Sequence, residues 1–297
     1  MSSLSACKIM QALNLCTAKA VYYPDPETGA LTLARVHQFS KPIYTEYDGT
    51  TPKKNRRSVE VDNAPEYDIE CDNDMTATEP DPLNVRRAAR RARRNAFDLI
   101  MCNPCLDTFV TLTYDPDKVE DRTDHSDVYQ YLKTWLSNSV QRRDMRYVCV
   151  PERHVKGGIH WHLICNRAAV PLDRARSARS GRVMSRHGEP LYNVTNWSKG
   201  FSTAQEIRQR HDGDDQRVAV AKYMFKYMTK NFGAKVGGRY MLHGGALVKP
   251  VEVYGMGVEE FGDPTCANLW EKEVSRGETS MVYREYDFLH GLVRAEK

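Results

Sequence analysis

The run Gly157-Gly158-Ile159-His160-Trp161-His162-Leu163-Ile164 sets two histidines on either side of one bulky apolar residue, directly after a glycine pair. As a β-strand it alternates faces, so His160 and His162 point the same way, about 7 Å apart, and Trp161 points opposite. Two imidazoles on one face can hold a divalent metal, while Trp161, Ile159, Leu163 and Ile164 anchor the strand in a core. A His-x-His on a strand is by itself more often no metal site than one. Upstream, Arg146 to Glu152 reads as a second strand, and a tight turn around Lys156-Gly157 joins the two into a hairpin. Centring the turn near Lys156 sets Glu152 opposite His160 and Val150 opposite His162. Direct partners share a face, so Glu152 joins the histidines as a carboxylate ligand. A slip of one residue would send that carboxylate to the other side.

Outward from this hairpin, Thr108 to Tyr114 is β-branched and aromatic, a strand. Ser126-Asp127 opens a helix whose apolar positions Val128, Tyr131, Leu132, Trp135, Leu136 and Ser139 follow a 3.6-residue period. Asp81-Pro82 starts an earlier helix, which Asn103-Pro104 stops. Val85, Ala89, Ala92, Ala96 and Leu99 form its narrow apolar seam, and Arg86, Arg87, Arg90, Arg91, Arg93 and Arg94 put six arginines in nine positions. A charge run is usually a solvated face; with no balancing acids nearby, this one is also a candidate for nucleic-acid backbone contact. Basic residues return after Cys165, among them Arg174 and Arg176, in the loops between 167 and 199 where a specificity surface is expected. Gly200 to Thr203 reads as a strand, a helix runs from Asp214-Asp215 to Lys230, and Cys266 to Val274 is expected to be helical before a last strand. Strands and helices alternate around an antiparallel hairpin, so the expected class is α+β.

The late helix carries Lys222-Tyr223-Met224-Phe225-Lys226-Tyr227-Met228-Thr229-Lys230. Tyr223 and Tyr227 are four residues apart and emerge on one helix face. Lys226 and Lys230 each follow a tyrosine by three residues, where an ammonium favours phenolate and can hold a phosphate. Taken alone, the pattern is two tyrosines packing on a sheet beside solvated lysines. Joined to a metal-type strand, it suits phosphodiester transfer: a metal polarises the scissile phosphate and a tyrosine attacks phosphorus.

Bulk properties agree with a globular chain. Of 297 residues 41% are hydrophobic and 28% charged, and mean hydropathy is −0.62. No apolar run approaches bilayer length, and the first residues lack the basic-then-apolar order of a secretory signal, so an intracellular, membrane-free protein is expected. Eight scattered cysteines fit reduced thiols; Cys102-Asn103-Pro104-Cys105 has no second C-x-x-C to complete a zinc site. The net charge of +4 conceals an acidic stretch over residues 60–81 followed by the arginine helix. Composition divides the chain into a poorly defined region at 1–80 with an acidic linker, a main domain at 81–256 and an extension at 257–297.

With these motifs in order, the chain resembles the rolling-circle replication initiators of the HUH endonuclease superfamily, as in single-stranded DNA phages and rolling-circle plasmids. Phe109 to Tyr114 matches that family's first strand motif. Val150-Pro151-Glu152 with His160-Trp161-His162 matches its metal motif, Asn196-Trp197 through Thr203 a further strand, and Tyr223 to Lys230 its tyrosine motif. The likeness spans about residues 84–256, and the histidines precede the tyrosines, unlike the order in conjugative relaxases. The resemblance implies a central antiparallel sheet of about five strands with flanking helices. It implies Mg²⁺ or Mn²⁺ on His160, His162 and Glu152, with Tyr223 and Tyr227 as nucleophiles beside Lys226 and Lys230. It further implies nicking of one strand at an origin through a 5′-phosphotyrosine, then rejoining. Which tyrosine attacks first stays open. Expected partners are single-stranded origin DNA, from a supercoiled or hairpin origin, and a host polymerase and helicase, because no P-loop is present. The expected location is the cytoplasm of a bacterial host. Two other readings remain: a transposase of the same chemistry, disfavoured by the chain's length and paired tyrosines, and a non-catalytic DNA-binding regulator that keeps the fold.

Overall fold

The computed structural model describes residues 15–44, 82–121, 125–154, 157–177, 179–186, 188–207, 217–218, 221, 224, 235–236, 238–276 and 279–289. The acidic linker expected before residue 80 and most of the helix expected at 214–230 lie outside the described residues. The described architecture is α+β-like, mostly antiparallel sheet with two helices. The chain divides into two compact units, Met1–Thr78 with Pro250–Lys297, and Glu79–Lys249.

In the unit Glu79–Lys249, the elements are α1 (Pro82–Met101), β3 (Thr108–Tyr114), α2 (His125–Arg143), β4 (Tyr147–Arg153), β5 (Ile159–Cys165), β6 (Leu172–Arg174), β7 (Ser185–Arg186), β8 (Glu189–Pro190), β9 (Tyr192–Val194), β10 (Gly200–Glu206) and β11 (Leu242–Gly244). One antiparallel sheet takes the order β11-β4-β5-β3-β10-β9-β6, and β7 and β8 pair separately. The sheet therefore has seven strands rather than about five. Two of the added strands, β6 and β9, are three-residue pieces from the loop around 172–194, too short to show alternation in the sequence.

One face of this sheet packs on α2. Leu112 and Val110 of β3, Trp161 and Leu163 of β5 and Cys149 of β4 are all buried against Val128, Leu132, Trp135 and Leu136. Burying indoles requires partners for their N–H groups. Trp161 Nε1 donates to the Tyr114 hydroxyl at 3.0 Å, which itself donates to the Val128 carbonyl. Trp135 Nε1 donates to Asn196 Oδ1 at 3.2 Å and Trp197 Nε1 to the Thr113 carbonyl at 3.3 Å. The seam of α1 buries at its C-terminal end, through Ala96, Phe97, Leu99, Ile100 and Met101. Asn103 then ties off the helix by donating to the Leu99 and Val248 carbonyls. Arg217, Val218, Ala221 and Met224 are helical, the last three buried.

The second unit holds β1 (Leu15–Pro24), β2 (Leu31–Tyr44), β12 (Val251–Gly255), β13 (Asn268–Arg276) and β14 (Thr279–Asp287), ordered β12-β1-β2-β14-β13. Segments from opposite ends of the chain thus share one antiparallel sheet. Cys266 to Val274 is not helical: a 3-10 turn at Pro264–Cys266 leads into β13, which pairs along its length with β14. Leu, Glu and Lys favour a helix locally, but nine consecutive cross-strand partners outweigh a propensity of tenths of a kcal/mol per residue. One sheet face is apolar, through Ala18, Ala20, Val36 and Val258. The other buries a polar chain. Arg35 Nη1 donates to the Tyr23 hydroxyl and Arg35 Nε to His37 Nε2. His37 Nδ1 pairs with the Tyr283 hydroxyl, which donates to Glu285.

Burial sets thiol chemistry. Desolvation pushes the Cys149 and Cys165 thiols far above the ordinary range, and Cys16 up to about 11, whereas Cys266 is exposed. Since the thiolate is the nucleophile, an alkylating reagent at pH 8 should modify Cys266 in the native protein and reach Cys149 and Cys165 only after unfolding. Peptide mass spectrometry of a labelling time course checks this; early labelling of Cys165 would contradict the packing of β5.

Candidate active site

Opposite the α2 packing lies the face that carries the histidines. Strand β5 sits inside the sheet, with β4 and β3 on its flanks. Its pairing with β4 matches Glu152 with His160 and Val150 with His162, the register expected from the sequence. Pairing with β3 matches Thr113 with His160 and Thr111 with His162. Cross-strand partners share a face, so two rows form, Glu152–His160–Thr113 and Val150–His162–Thr111.

The turn behind this register depends on glycine. Gly157 has φ 86°, in the left-handed region that only glycine adopts freely. Its N–H donates to the His154 carbonyl, and the His154 N–H donates to the Gly158 carbonyl, both at 2.8 Å.

Both imidazoles are held from behind. His160 Nδ1 lies 3.1 Å from the Thr113 hydroxyl and His162 Nδ1 3.1 Å from the Thr111 hydroxyl. A hydroxyl gives or takes a hydrogen bond, so it fixes ring orientation in either tautomer and directs Nε2 outward. His162 is buried and stacks on Phe109 with ring centroids 5.7 Å apart. Its Nε2 lies 2.5 Å from Glu152 Oε2. His160 is only partly buried. Among the described residues no three His, Cys, Asp or Glu side chains are gathered as a ready metal cluster; imidazole and carboxylate satisfy each other instead. The donor set nevertheless fits a divalent cation, with two imidazoles and one carboxylate on one face. Each ring carries the partner on its far nitrogen that metal-bound histidines have.

A residue the motif reading missed also belongs here. His154, two positions after Glu152 and so on the same face, brings its ring within 5.6 Å of the His160 ring, centroid to centroid. The signal is in the sequence, since the alternation that selects Glu152 selects His154 as well.

The other candidates are spread out. Tyr223, Lys226, Tyr227 and Lys230 lie outside the described residues. On α1, Arg86, Arg87 and Arg90 are exposed, and Arg91, Arg93 and Arg94 half-buried. Arg174 pairs with Tyr192, itself opposite Ala204, whose partner on β3 is the inward-facing Val110. It therefore sits on the α2 side of the sheet, 5.2 Å from the Tyr192 ring, and not with the histidines. Arg176 is exposed and donates to the Gly181 carbonyl at 3.1 Å.

No described helix is long and apolar enough to cross a membrane. No curated protein and no solved structure matches the chain. A family model does: that of the replication-associated protein ORF2 matches residues 107–232, from the start of β3 through the histidine hairpin to the tyrosine segment. That match associates the chain with replication initiation.

Proposed function

We propose that this chain is a replication-initiation endonuclease of the HUH type, which nicks one DNA strand at an origin and later rejoins it. The observation that supports this most is the geometry of the histidine face. Two imidazoles, each braced by a threonine hydroxyl, share a sheet face with Glu152, inside the segment matched by a replication-associated family. His160, His162 and Glu152 would hold Mg²⁺ or Mn²⁺. When bound, such a cation acts as a Lewis acid on a non-bridging phosphate oxygen.

The remaining chemistry belongs to the chain. Tyr223 or Tyr227 supplies a phenol oxygen that forms a bond to phosphorus. The bond from phosphorus to the 3′ oxygen breaks, and that oxygen leaves as a free hydroxyl after taking up a proton. The 5′-phosphate stays on the tyrosine. Lys226 and Lys230, each one turn from a tyrosine, favour the phenolate and neutralise the phosphate. A second tyrosine allows a second transesterification without release of the strand. Arginines of α1 contribute backbone contacts, a host helicase and polymerase open and copy the duplex, and the reaction takes place in the cytoplasm of a bacterial host.

Purified protein mixed with single-stranded origin DNA and Mg²⁺ or Mn²⁺ should yield a protein–DNA adduct that survives denaturation, and a chelator should prevent it. An adduct that forms equally well in excess chelator would exclude the metal-assisted reading.

The threonines offer a finer test. Thr113→Val keeps the shape of the side chain and removes the hydroxyl from His160 Nδ1. Loss of such a partner typically weakens metal binding about 10- to 100-fold. Calorimetric titration with Mn²⁺ should show that loss, with the melting temperature of the metal-free protein little changed. Equal affinity would mean that the hydroxyl does not orient the ring. Imidazole ligands also predict tighter binding of Mn²⁺ than of Mg²⁺.

A further inference from the structure

Among the described residues, the most exposed large hydrophobic side chain is Phe201, at 65%. Its position is informative. On β10, Phe201 pairs with Thr113, which pairs with His160, which pairs with Glu152. Phe201 therefore continues the histidine row on the same face, two strands from His160, or about 10 Å at the usual strand spacing.

The ring stands on a fixed base. At Gly200 a Cβ would come within 2.1 Å of the Thr113 carbonyl, so β10 lies close against β3 where Phe201 emerges. On the other side, the Ser202 hydroxyl accepts from the Val194 N–H at 2.8 Å. The neighbourhood is also basic. Gln205, on the same face, donates from Nε2 to the Arg186 carbonyl at 3.4 Å. That contact brings the β7–β8 hairpin, with exposed Arg179, Arg182 and Arg186, to this side of β10.

We propose that Phe201 is a stacking platform for one unpaired nucleobase of the DNA strand, seated beside the histidine row, while the hairpin arginines hold the flanking phosphates. The inference rests on the reading of the histidine face as a DNA-processing site and assigns that site a base subsite. An exposed aromatic ring on a strand fixed in its sheet, next to exposed cationic side chains, is the combination that binds single strands without reading sequence. A flat ring accepts any base, so the subsite favours an unpaired nucleotide over a paired one, whatever its identity.

The test uses the full chain in excess chelator, so that no cleavage occurs, with a mixed-sequence single-stranded oligonucleotide and an abasic sugar-phosphate strand of equal length. Phe201→Ala should weaken binding to the base-bearing strand about 5- to 150-fold, the range for loss of one stacked base. It should leave the abasic strand and the slope of affinity against salt unchanged, because no phosphate contact is removed. Phe201→Trp should retain affinity, and its added fluorescence should be quenched by the base-bearing strand alone.

Equal affinity of Phe201→Ala and the wild type overturns the proposal, as does an equal loss on both strands. So does a Phe201→Ala change confined to self-association in sedimentation, which would make the patch a contact between copies. If the wild type binds no single strand at all, the nicking reading fails and the subsite with it. If the wild type binds and cleaves but Phe201→Ala binds equally well, only the subsite fails.

Discussion

Replacing His160 and His162 together by alanine is expected to slow strand cleavage by about 10²- to 10⁴-fold, the equivalent of the several kcal/mol that a Lewis-acid cation supplies to phosphoryl transfer. Both rings lie on the sheet face away from the α2 core, and their Nδ1 atoms bond to hydroxyls at the sheet surface. Their removal therefore takes away metal ligands without opening the core. Glu152, left with a side chain 18% exposed, can turn to water when His162 goes. DNA binding through α1 and the hairpin arginines should persist, because none of those charges is altered. Cleavage of a labelled oligonucleotide and its retention on a filter, measured side by side, separate the two effects. Loss of binding in step with cleavage would point to a structural role for the histidines.

Trp161→Ala carries the largest expected cost in stability. The indole is fully buried in the α2-facing core, and its Nε1 donates to Tyr114, whose hydroxyl donates onward to α2. Truncating a buried tryptophan costs about 3–5 kcal/mol in lost transfer energy and cavity. For a unit the size of Glu79–Lys249 that is a fall in Tm of roughly 6–20 °C. The variant would also loosen the strand that presents the histidines, so metal affinity should fall with it. Trp161→Phe keeps most of the apolar volume and gives up one hydrogen bond, about 1 kcal/mol. Near-ultraviolet circular dichroism against temperature checks both variants. A Tm for Trp161→Ala within about 2 °C of wild type, roughly 1 kcal/mol or less on that scale, would contradict the packing described.

The histidine hairpin is legible in the sequence because three local signals agree there. Alternation sorts Trp161 from the histidines, the glycine pair marks the turn, and the turn position sets the register that brings Glu152 opposite His160. Strand β3 and helix α2 read equally well, since both carry an uninterrupted period over at least seven residues. The sheet built from β1, β2, β12, β13 and β14 does not read this way. Its partners come from opposite ends of the chain, and nothing local to Leu15–Pro24 indicates that Val251–Gly255 will lie beside it. Strand β13 carries helix-forming residues and is held extended by β14 alone among the strands. At the site, Thr111 and Thr113 read in the sequence only as β-formers. Their role as partners of the histidine rings follows from the β3–β5 register, which no single strand contains. Phe201 likewise reads as part of a strand motif, because exposure on a particular face is a property of the assembled sheet.

The most direct test of the account is the identity of the residue that carries the DNA. Protein incubated with single-stranded origin DNA and Mn²⁺ can be digested with nuclease and protease, and the modified peptide sequenced by mass spectrometry. The account predicts a nucleotide 5′-phosphate on Tyr223 or Tyr227, and no adduct from the Tyr223→Phe, Tyr227→Phe double variant. An adduct on any other residue, or one that persists in the double variant, would contradict it.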